Sequence, residues 1–344
     1  MRALITGATG FLGSHLARQL VGRGDEVVAL VRTTSDRSRL AGLPIEYAEG
    51  DVTDAASVRR AVDGVDQVFH CAGVVEFGPR DRSFLDRVNV DGTRHVLDAA
   101  VSAGVPAVHV SSLAALGATV LGEDPKDESW WSSDPPAAVY EETKRRGHEH
   151  ARSLAAAGAS VRIVMPGGIY GIGDQSTLHD VIRTYARWPV PVGYFPEIRQ
   201  STVHVDDCAD ALLRVADRGV DGGEYIAAAE TVTIREWLTL IAQGGGHRPP
   251  RWYIPTGTVR RLGRPAGTVS GWFGRSPTEV PETIAVATHD CAYRGDRLRA
   301  ELGWAPRPLA DGMAAMAEAL REEQTEKRVA KRMAKQAASA TRRR

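Results

Sequence analysis

The sequence predicts an α/β fold, a doubly wound parallel sheet of the Rossmann type with a smaller C-terminal lobe. Three observations carry that expectation. Short apolar segments alternate with helix-period segments throughout the first half of the chain. Gly7, Gly10 and Gly13 stand between the first strand-like and the first helix-like segment. After Pro166 the alternation gives way to a stretch dense in glycine and proline.

Residues 3–6 form a short apolar strand, and residues 11–23 a helix with Leu12, Leu16, Leu20 and Val21 on one face. EVVALV at 26–31 has the unbroken apolar run of a strand buried on both sides. A third strand is expected at 44–48 and a helix at 54–62. Strands at 67–70, 107–110 and 161–164 follow, with helices at 83–103 and 139–157 between them. A helix at 206–217 and a strand at 224–226 return to the sheet, and short helices at 297–303 and 309–321 end the fold. Glycine and proline are frequent at 167–196, and most of 248–281 resists assignment. The expected division is a nucleotide-binding domain at 1–170 with a return segment at 202–228 and a substrate-binding lobe at 171–201 and 229–322. A basic, disordered tail is expected at 323–344, and Lys327 to Arg344 holds eight basic residues and no acidic one.

The chain has 344 residues, 43% hydrophobic and 25% charged, so about two domains are expected. Formal net charge is +0, which argues against nucleic acid as a partner. Cys71, Cys208 and Cys291 are far apart and form neither a CxxC pair nor a metal-site pattern. The chain opens on a strand with no leader, and no apolar run nears the roughly 20 residues of a membrane helix. No membrane span and a cytoplasmic location are the resulting expectations.

Thr6 to Gly13 reads TGATGFLG. Glycines at 7, 10 and 13 permit a tight turn and let the backbone approach a pyrophosphate with no Cβ in the way. The following helix then aims free N–H groups at the phosphates, which makes Gly7, Thr9, Gly10, Phe11, Leu12 and Gly13 a candidate dinucleotide cradle. The second strand ends Val31-Arg32-Thr33, with no carboxylate to hold a ribose 2′-hydroxyl. Arg32 suits a 2′-phosphate, so NADP is expected over NAD. Asp51 and Val52 after the third strand are placed to meet the adenine. Cys71, Ala72 and Gly73 are small residues that let a cofactor lie across the strand ends.

Tyr140 and Lys144 share one face of a helix. At that spacing an ammonium can lower a phenol's pKa and leave it able to exchange a proton near neutrality.

The markers TGATGFLG, GDVTD, HCAG, NVDGT, VSSLAALG, YEETK, PGGIYGIGD and TVHVDDCADA occur in this order. Together they resemble the extended short-chain dehydrogenase/reductase family, also called the NAD-dependent epimerase/dehydratase superfamily, over residues 1–320. The resemblance implies that Tyr140 exchanges the proton, and that Lys144 lowers its pKa and holds the nicotinamide ribose. It implies that Ser112, five residues before Gly117, polarises a substrate carbonyl, with Ser111 the competing candidate. It also assigns Pro166, Gly168 and Ile169 to the cofactor site, and a homodimer through the helices at 83–103 and 139–157.

LVRTTSDRSRL at 30–40 looks like the dihydroflavonol-reductase-like branch. Gly168 stands where nucleotide-sugar enzymes of the family carry an asparagine that touches the diphosphate. The expected activity is therefore an NADPH-dependent carbonyl reductase, or the reverse alcohol dehydrogenase, on an apolar or ring-bearing ketone or aldehyde. A nucleotide-sugar epimerase or dehydratase and a non-catalytic nucleotide-sensing scaffold are the alternatives. Trp130, Trp131, Trp188, Tyr194, Phe195, Trp252, Tyr253, Trp272 and Phe273 are candidates to line an aromatic substrate region. Arg80, Arg82 and Arg187 are candidates to meet an anionic substrate.

Overall fold

The structure is a computed structural model that describes residues 1–77, 81–261 and 279–323. Trp272, Phe273, Arg80 and the basic tail from 324 onward lie outside the described residues.

Seven parallel strands form the main sheet: β1 (Arg2–Thr6), β2 (Glu26–Val31), β3 (Ile45–Glu49), β4 (Gln67–His70), β5 (Ala107–Val110), β6 (Val161–Pro166) and β10 (Glu224–Ala227). Their order is β10-β6-β5-β4-β1-β2-β3, so the direction of winding reverses between β1 and β4. Ligands of such sheets sit in the crevice at that reversal, beyond the carboxyl ends of the strands.

Both faces are covered, and the strands show it by period two. Ala3 and Ile5 point into one core with Leu16 and Leu20 of α1 (Phe11–Gly22) and Leu212 of α8 (Val205–Arg218). Leu4 points into the other core with Val58 of α2 (Ala55–Val62), Leu97 of α4 (Gly92–Ser102) and Ala151 of α6 (Val139–Ala156).

The expected helix at 83–103 is interrupted. Arg82–Leu85 is α-helical, Asp86–Asp91 is a π-helical turn, and α4 resumes at Gly92. Such insertions cluster at functional sites. Here the turn holds Asn89, whose side chain accepts from Val74 N (2.8 Å) and donates to Val74 O (2.9 Å) and Thr143 Oγ1 (3.1 Å).

The glycine- and proline-rich stretch after Pro166 is more ordered than its composition suggests. It contains β7 (Gly168–Tyr170), α7 (Thr177–Arg187), β8 (Val192–Tyr194) and β9 (Arg199–His204). Beyond the main sheet come β11 (Glu230–Thr233), α9 (Ile234–Gly244) and β12 (Trp252–Ile254). Strands β11, β9 and β7 make a second sheet, and β12 pairs with β8. A third core fills this lobe, with Ile182 and Tyr185 of α7, Trp237 and Leu238 of α9, and Met313 of the helix at 309–323. Ser176 caps α7 by accepting from His179 N, and Thr233 and Glu236 form a capping box on α9.

Candidate active site

The glycine turn packs against the end of β4 where the winding reverses. Gly7 has φ +72°, and a Cβ there would lie 2.7 Å from Ala72 N. A Cβ on Gly13 would lie 2.2 Å from Gly7 O, and one on Gly10 3.1 Å from the same atom. Gly7 and Gly13 thus have no room for a side chain, because loop, strand end and helix share one space. Gly10 is the N-cap of α1, no side chain caps it, and the first turn holds no acidic residue. The opening N–H groups and the positive end of α1 are left for an anion beside Thr9, Phe11 and Leu12. These features fit the pyrophosphate of a dinucleotide.

The other predicted cradle residues lie at or just beyond the carboxyl ends of β3, β4 and β6. Cys71 N donates to Thr6 O, and Ala72 N to Thr6 Oγ1 at 3.3 Å. Asp51 Oδ1 accepts from both the N–H and the hydroxyl of Thr53. Val52 is buried, and a Cβ on Gly92 would meet it at 2.9 Å. Pro166 ends β6, and Gly168 and Ile169 begin β7 opposite Thr202 and Val203. A Cβ at Gly168 would meet its neighbours at ordinary distances of 3.6 Å or more, so steric need does not require glycine there.

Arg32 is exposed at the end of β2, with no carboxylate partner among the described residues. It lines a cavity of about 1200 Å³ together with Thr9, Ser35, Arg39, Gly173 and Arg183. Arg39 donates to Gly173 O (2.6 Å), tying the loop after β2 to the loop after β7 across this cavity. The only acid in the first loop residues is Asp36, and Ser38 N and Oγ occupy its two oxygens.

Tyr140 and Lys144 lie in the first turns of α6, and the Ser112 hydroxyl is near enough to the Tyr140 phenol to act on its proton. Ser112 also caps the short helix α5 (Leu113–Leu116) by accepting from Ala114 N at 3.2 Å. The hydroxyl of its neighbour Ser111 is taken up by His148 Nδ1, two turns further along α6 than Tyr140, at 2.8 Å. The two competing serines are thereby told apart by their partners: His148 holds Ser111, and Ser112 is the one that acts on Tyr140. Gly117 turns the chain with φ +94°, and its carbonyl accepts from the Tyr293 hydroxyl.

The electrostatics differ from the simple expectation. Burial raises the Tyr140 phenol, the Ser112 hydroxyl opposes the rise, and the Glu141 charge adds to it. Lys144 Nζ instead donates to Val110 O at 3.0 Å, and burial pushes the ammonium down to about 8, opposed by Cys71. The Cys71 thiol is in turn pushed up to about 12 by burial, with Lys144 opposing. At neutral pH Lys144 is charged and Cys71 is not.

Sequence reasoning missed part of this neighbourhood. Phe77 sets its ring edge-on against Tyr140, with centroids 6.0 Å apart. Beneath the site, His148 continues the Ser111 contact to Glu224 at 3.3 Å, and Glu224 accepts from Arg152 at 2.7 Å. The signal for His148 was its place four residues after Lys144, on the same face of α6. Phe77 had none, because it sits in an irregular loop.

The family model described as "NAD dependent epimerase/dehydratase family" matches residues 3–228. The chain belongs to that family. It is an NAD(P)-dependent enzyme of the extended short-chain dehydrogenase/reductase type. Its relatives include sterol demethylase protein B of Methylococcus capsulatus, 33% identical over 93% of this chain and 97% of the relative. A putative dihydroflavonol 4-reductase of Synechocystis is 29% identical over 87% of this chain and 88% of the relative. A 4-hydroxy-2-methyl-3-oxo-4-farnesyl-3,4-dihydroquinoline-1-oxide ketoreductase of Stigmatella aurantiaca is 30% identical over 89% and 92% respectively.

In this member of the epimerase/dehydratase family the aromatic residues divide into three groups. Trp130 and Trp131 pack on the main sheet's core, under the cations of Lys126 and Arg152. Tyr194, Phe195 and Tyr253 pack on the lobe core. Trp188 and Trp252 face water. The candidate arginines have partners: Arg82 pairs with Glu142 and Arg187 with Glu323. Arg199 of β9 is bound to the buried Asp290 through Nε (3.0 Å) and Nη2 (2.6 Å) and also donates to Val120 O and Glu123 O. No helix among the described residues is long and apolar enough to cross a membrane.

Proposed function

We propose that this enzyme is an NADPH-dependent carbonyl reductase, or the reverse alcohol dehydrogenase, of the dihydroflavonol-reductase-like type. Its substrate is an apolar, ring-bearing ketone or aldehyde. The observation that carries the proposal is that Ser112, just past the end of β5, acts on the buried Tyr140 phenol, while Lys144 of the same helix as Tyr140 is held on Val110 O at the end of that strand.

A bound nicotinamide supplies the hydride. The Ser112 and Tyr140 hydroxyls hold the carbonyl oxygen and polarise the carbon. As negative charge grows on that oxygen, Tyr140 gives up its proton to form the alcohol. The phenolate left behind is stabilised by the Ser112 hydroxyl and by the positive charge of Lys144. Asn89 and the Val110 carbonyl hold the helix and the ammonium in register for this exchange.

Arg32 supports NADPH: it is exposed, free of carboxylates, and opens on the cavity that includes Thr9. The substrate class draws on the sterol and farnesyl-quinoline names of the relatives. The family also contains nucleotide-sugar epimerases, whose substrates need a free cation for a diphosphate. Gly168 offers no side chain for that role, and Asp290 neutralises Arg199.

The test is to denature the purified protein and identify any nucleotide released. An empty protein, or one with exchangeable NADP(H), supports the reductase. Near-stoichiometric NAD⁺ supports an epimerase that recycles a cofactor it never releases.

A further inference from the structure

The outer face of the β8/β12 pair is apolar. Trp252 stands in register with Val192 and Ile254 with Tyr194. Gly193 and Tyr253 turn inward, where a Cβ on Gly193 would meet the Tyr253 ring at 2.5 Å and Leu238 at 3.1 Å. By the alternation of a strand, Val192, Trp252 and Ile254 turn out to water. Trp188 adjoins them, three residues before Pro191, whose carbonyl accepts from the N–H groups of Arg251 and Trp252. Trp188 and Trp252 are each 62% exposed, with Val192 at 37% and Ile254 at 38%.

Two largely exposed tryptophans on one edge mark a surface with a partner. The segments that carry them are rich in arginine. Residues 181–196 and 243–261 hold six arginines and no aspartate or glutamate. Arg183 and Arg187 are paired, with Asp180 and Glu323. Arg248 and Arg251 are exposed and have no carboxylate partner among the described residues. The Arg251 guanidinium lies by the Trp252 ring, 5.8 Å from its centroid. Tryptophan rings set at the level of lipid headgroups, flanked by unpaired arginines, form the side-chain combination that binds an anionic membrane surface.

We propose that the β8/β12 face docks on the surface of an anionic lipid bilayer, with Trp188 and Trp252 inserted among the headgroups. The protein does not cross the membrane. Docking would bring the lobe to the phase in which an apolar ketone dissolves, and this purpose, though not the binding, rests on the function proposed above.

The test is binding of the full-length protein to vesicles of phosphatidylcholine, with and without phosphatidylglycerol. It is read by co-sedimentation and by quenching of tryptophan emission with brominated acyl chains. The wild type should bind the phosphatidylglycerol vesicles and be quenched by them. A W188A/W252A variant, checked for unchanged melting and NADPH affinity, should bind at least about tenfold more weakly. R248Q/R251Q should bind the phosphatidylglycerol vesicles more weakly than the wild type does. All variants keep the basic residues at 327–344, so a difference between them reports the patch. Equal binding by wild type and W188A/W252A overturns the proposal. So does a wild type whose emission brominated lipid leaves unquenched, or a dimer that W188A/W252A abolishes in a protein that ignores vesicles. These measurements need no substrate, so a failed search for a ketone refutes only the function above.

Discussion

Lys144 Nζ donates to the carbonyl of Val110, the last residue of β5, at 3.0 Å. The strand that delivers Ser112 is thereby tied to the helix that delivers Tyr140, and a buried ammonium is the tie. Its position is a cost to the fold and an asset to the chemistry.

Replacing Tyr140 by phenylalanine removes the proton donor and leaves the ring against Phe77. The kcat for ketone reduction should fall by about 10²–10⁴-fold, the range for a lost general acid. NADPH affinity, read by its fluorescence, should stay within about twofold of wild type. A variant that still turns over would remove Tyr140 from the mechanism.

Lys144 is lowered to about 8 from 10.5, first by burial. Between those values the unfolded chain binds more protons than the folded one, so wild-type stability rises with pH from about 8 to 10.5. Below about 8 the buried charge costs on the order of 1–3 kcal/mol. Lys144→Met should therefore abolish turnover yet raise the melting temperature at neutral pH by roughly a few degrees. That gain should shrink in thermal scans toward pH 10. A gain independent of pH would contradict the assignment.

Arg32→Asp should weaken NADPH binding by about tenfold or more while changing NADH binding little, because only NADPH carries the 2′-phosphate. Isothermal titration with both nucleotides checks this. Equal losses would leave NADP preference without support.

Glu224 is held at about 2 by His148 and Arg152, against burial that alone would raise it. The folded-state value lies below the ordinary 4.5, so its contribution is complete above that pH and is lost as pH falls toward 2. Glu224→Gln should cost about 1–3 kcal/mol at neutral pH, because Arg152 and His148 lose the charge they share. In denaturant titrations the gap from wild type should close on acidification. A gap that stays constant from neutral pH to about pH 3 would show that the carboxylate's charge is not what matters.

The sheet was legible because most of its strands, β2 (EVVALV) above all, are short apolar runs alternating with segments of helical period. The cradle was legible because glycine is the residue that Gly7 and Gly13 require. Two lobe helices escaped for different reasons. The density of glycine and proline around α7 hid Leu178, Ile182 and Tyr185, while α9 is marked in the sequence only by its Thr233–Glu236 capping box. The π turn had no signal, since its cause is Asn89 reaching across 15 residues to Val74. The bond of Arg199 to Asp290 spans 91 residues, a distance that only tertiary packing closes. Lys144 was expected to act on Tyr140; the partner the fold gives its ammonium is a backbone carbonyl that sequence cannot display.

The central claim is hydride transfer from NADPH to an apolar ketone at Tyr140, and steady-state NADPH consumption tests it most directly. Purified enzyme should be given a set of cyclic, lipid-soluble ketones with NADPH, and the product identified as the alcohol. The account predicts saturable NADPH consumption with stoichiometric alcohol, faster than with NADH and absent in Tyr140→Phe. No NADPH consumption with any such ketone, together with interconversion of a nucleotide sugar by tightly bound NAD⁺, would contradict it.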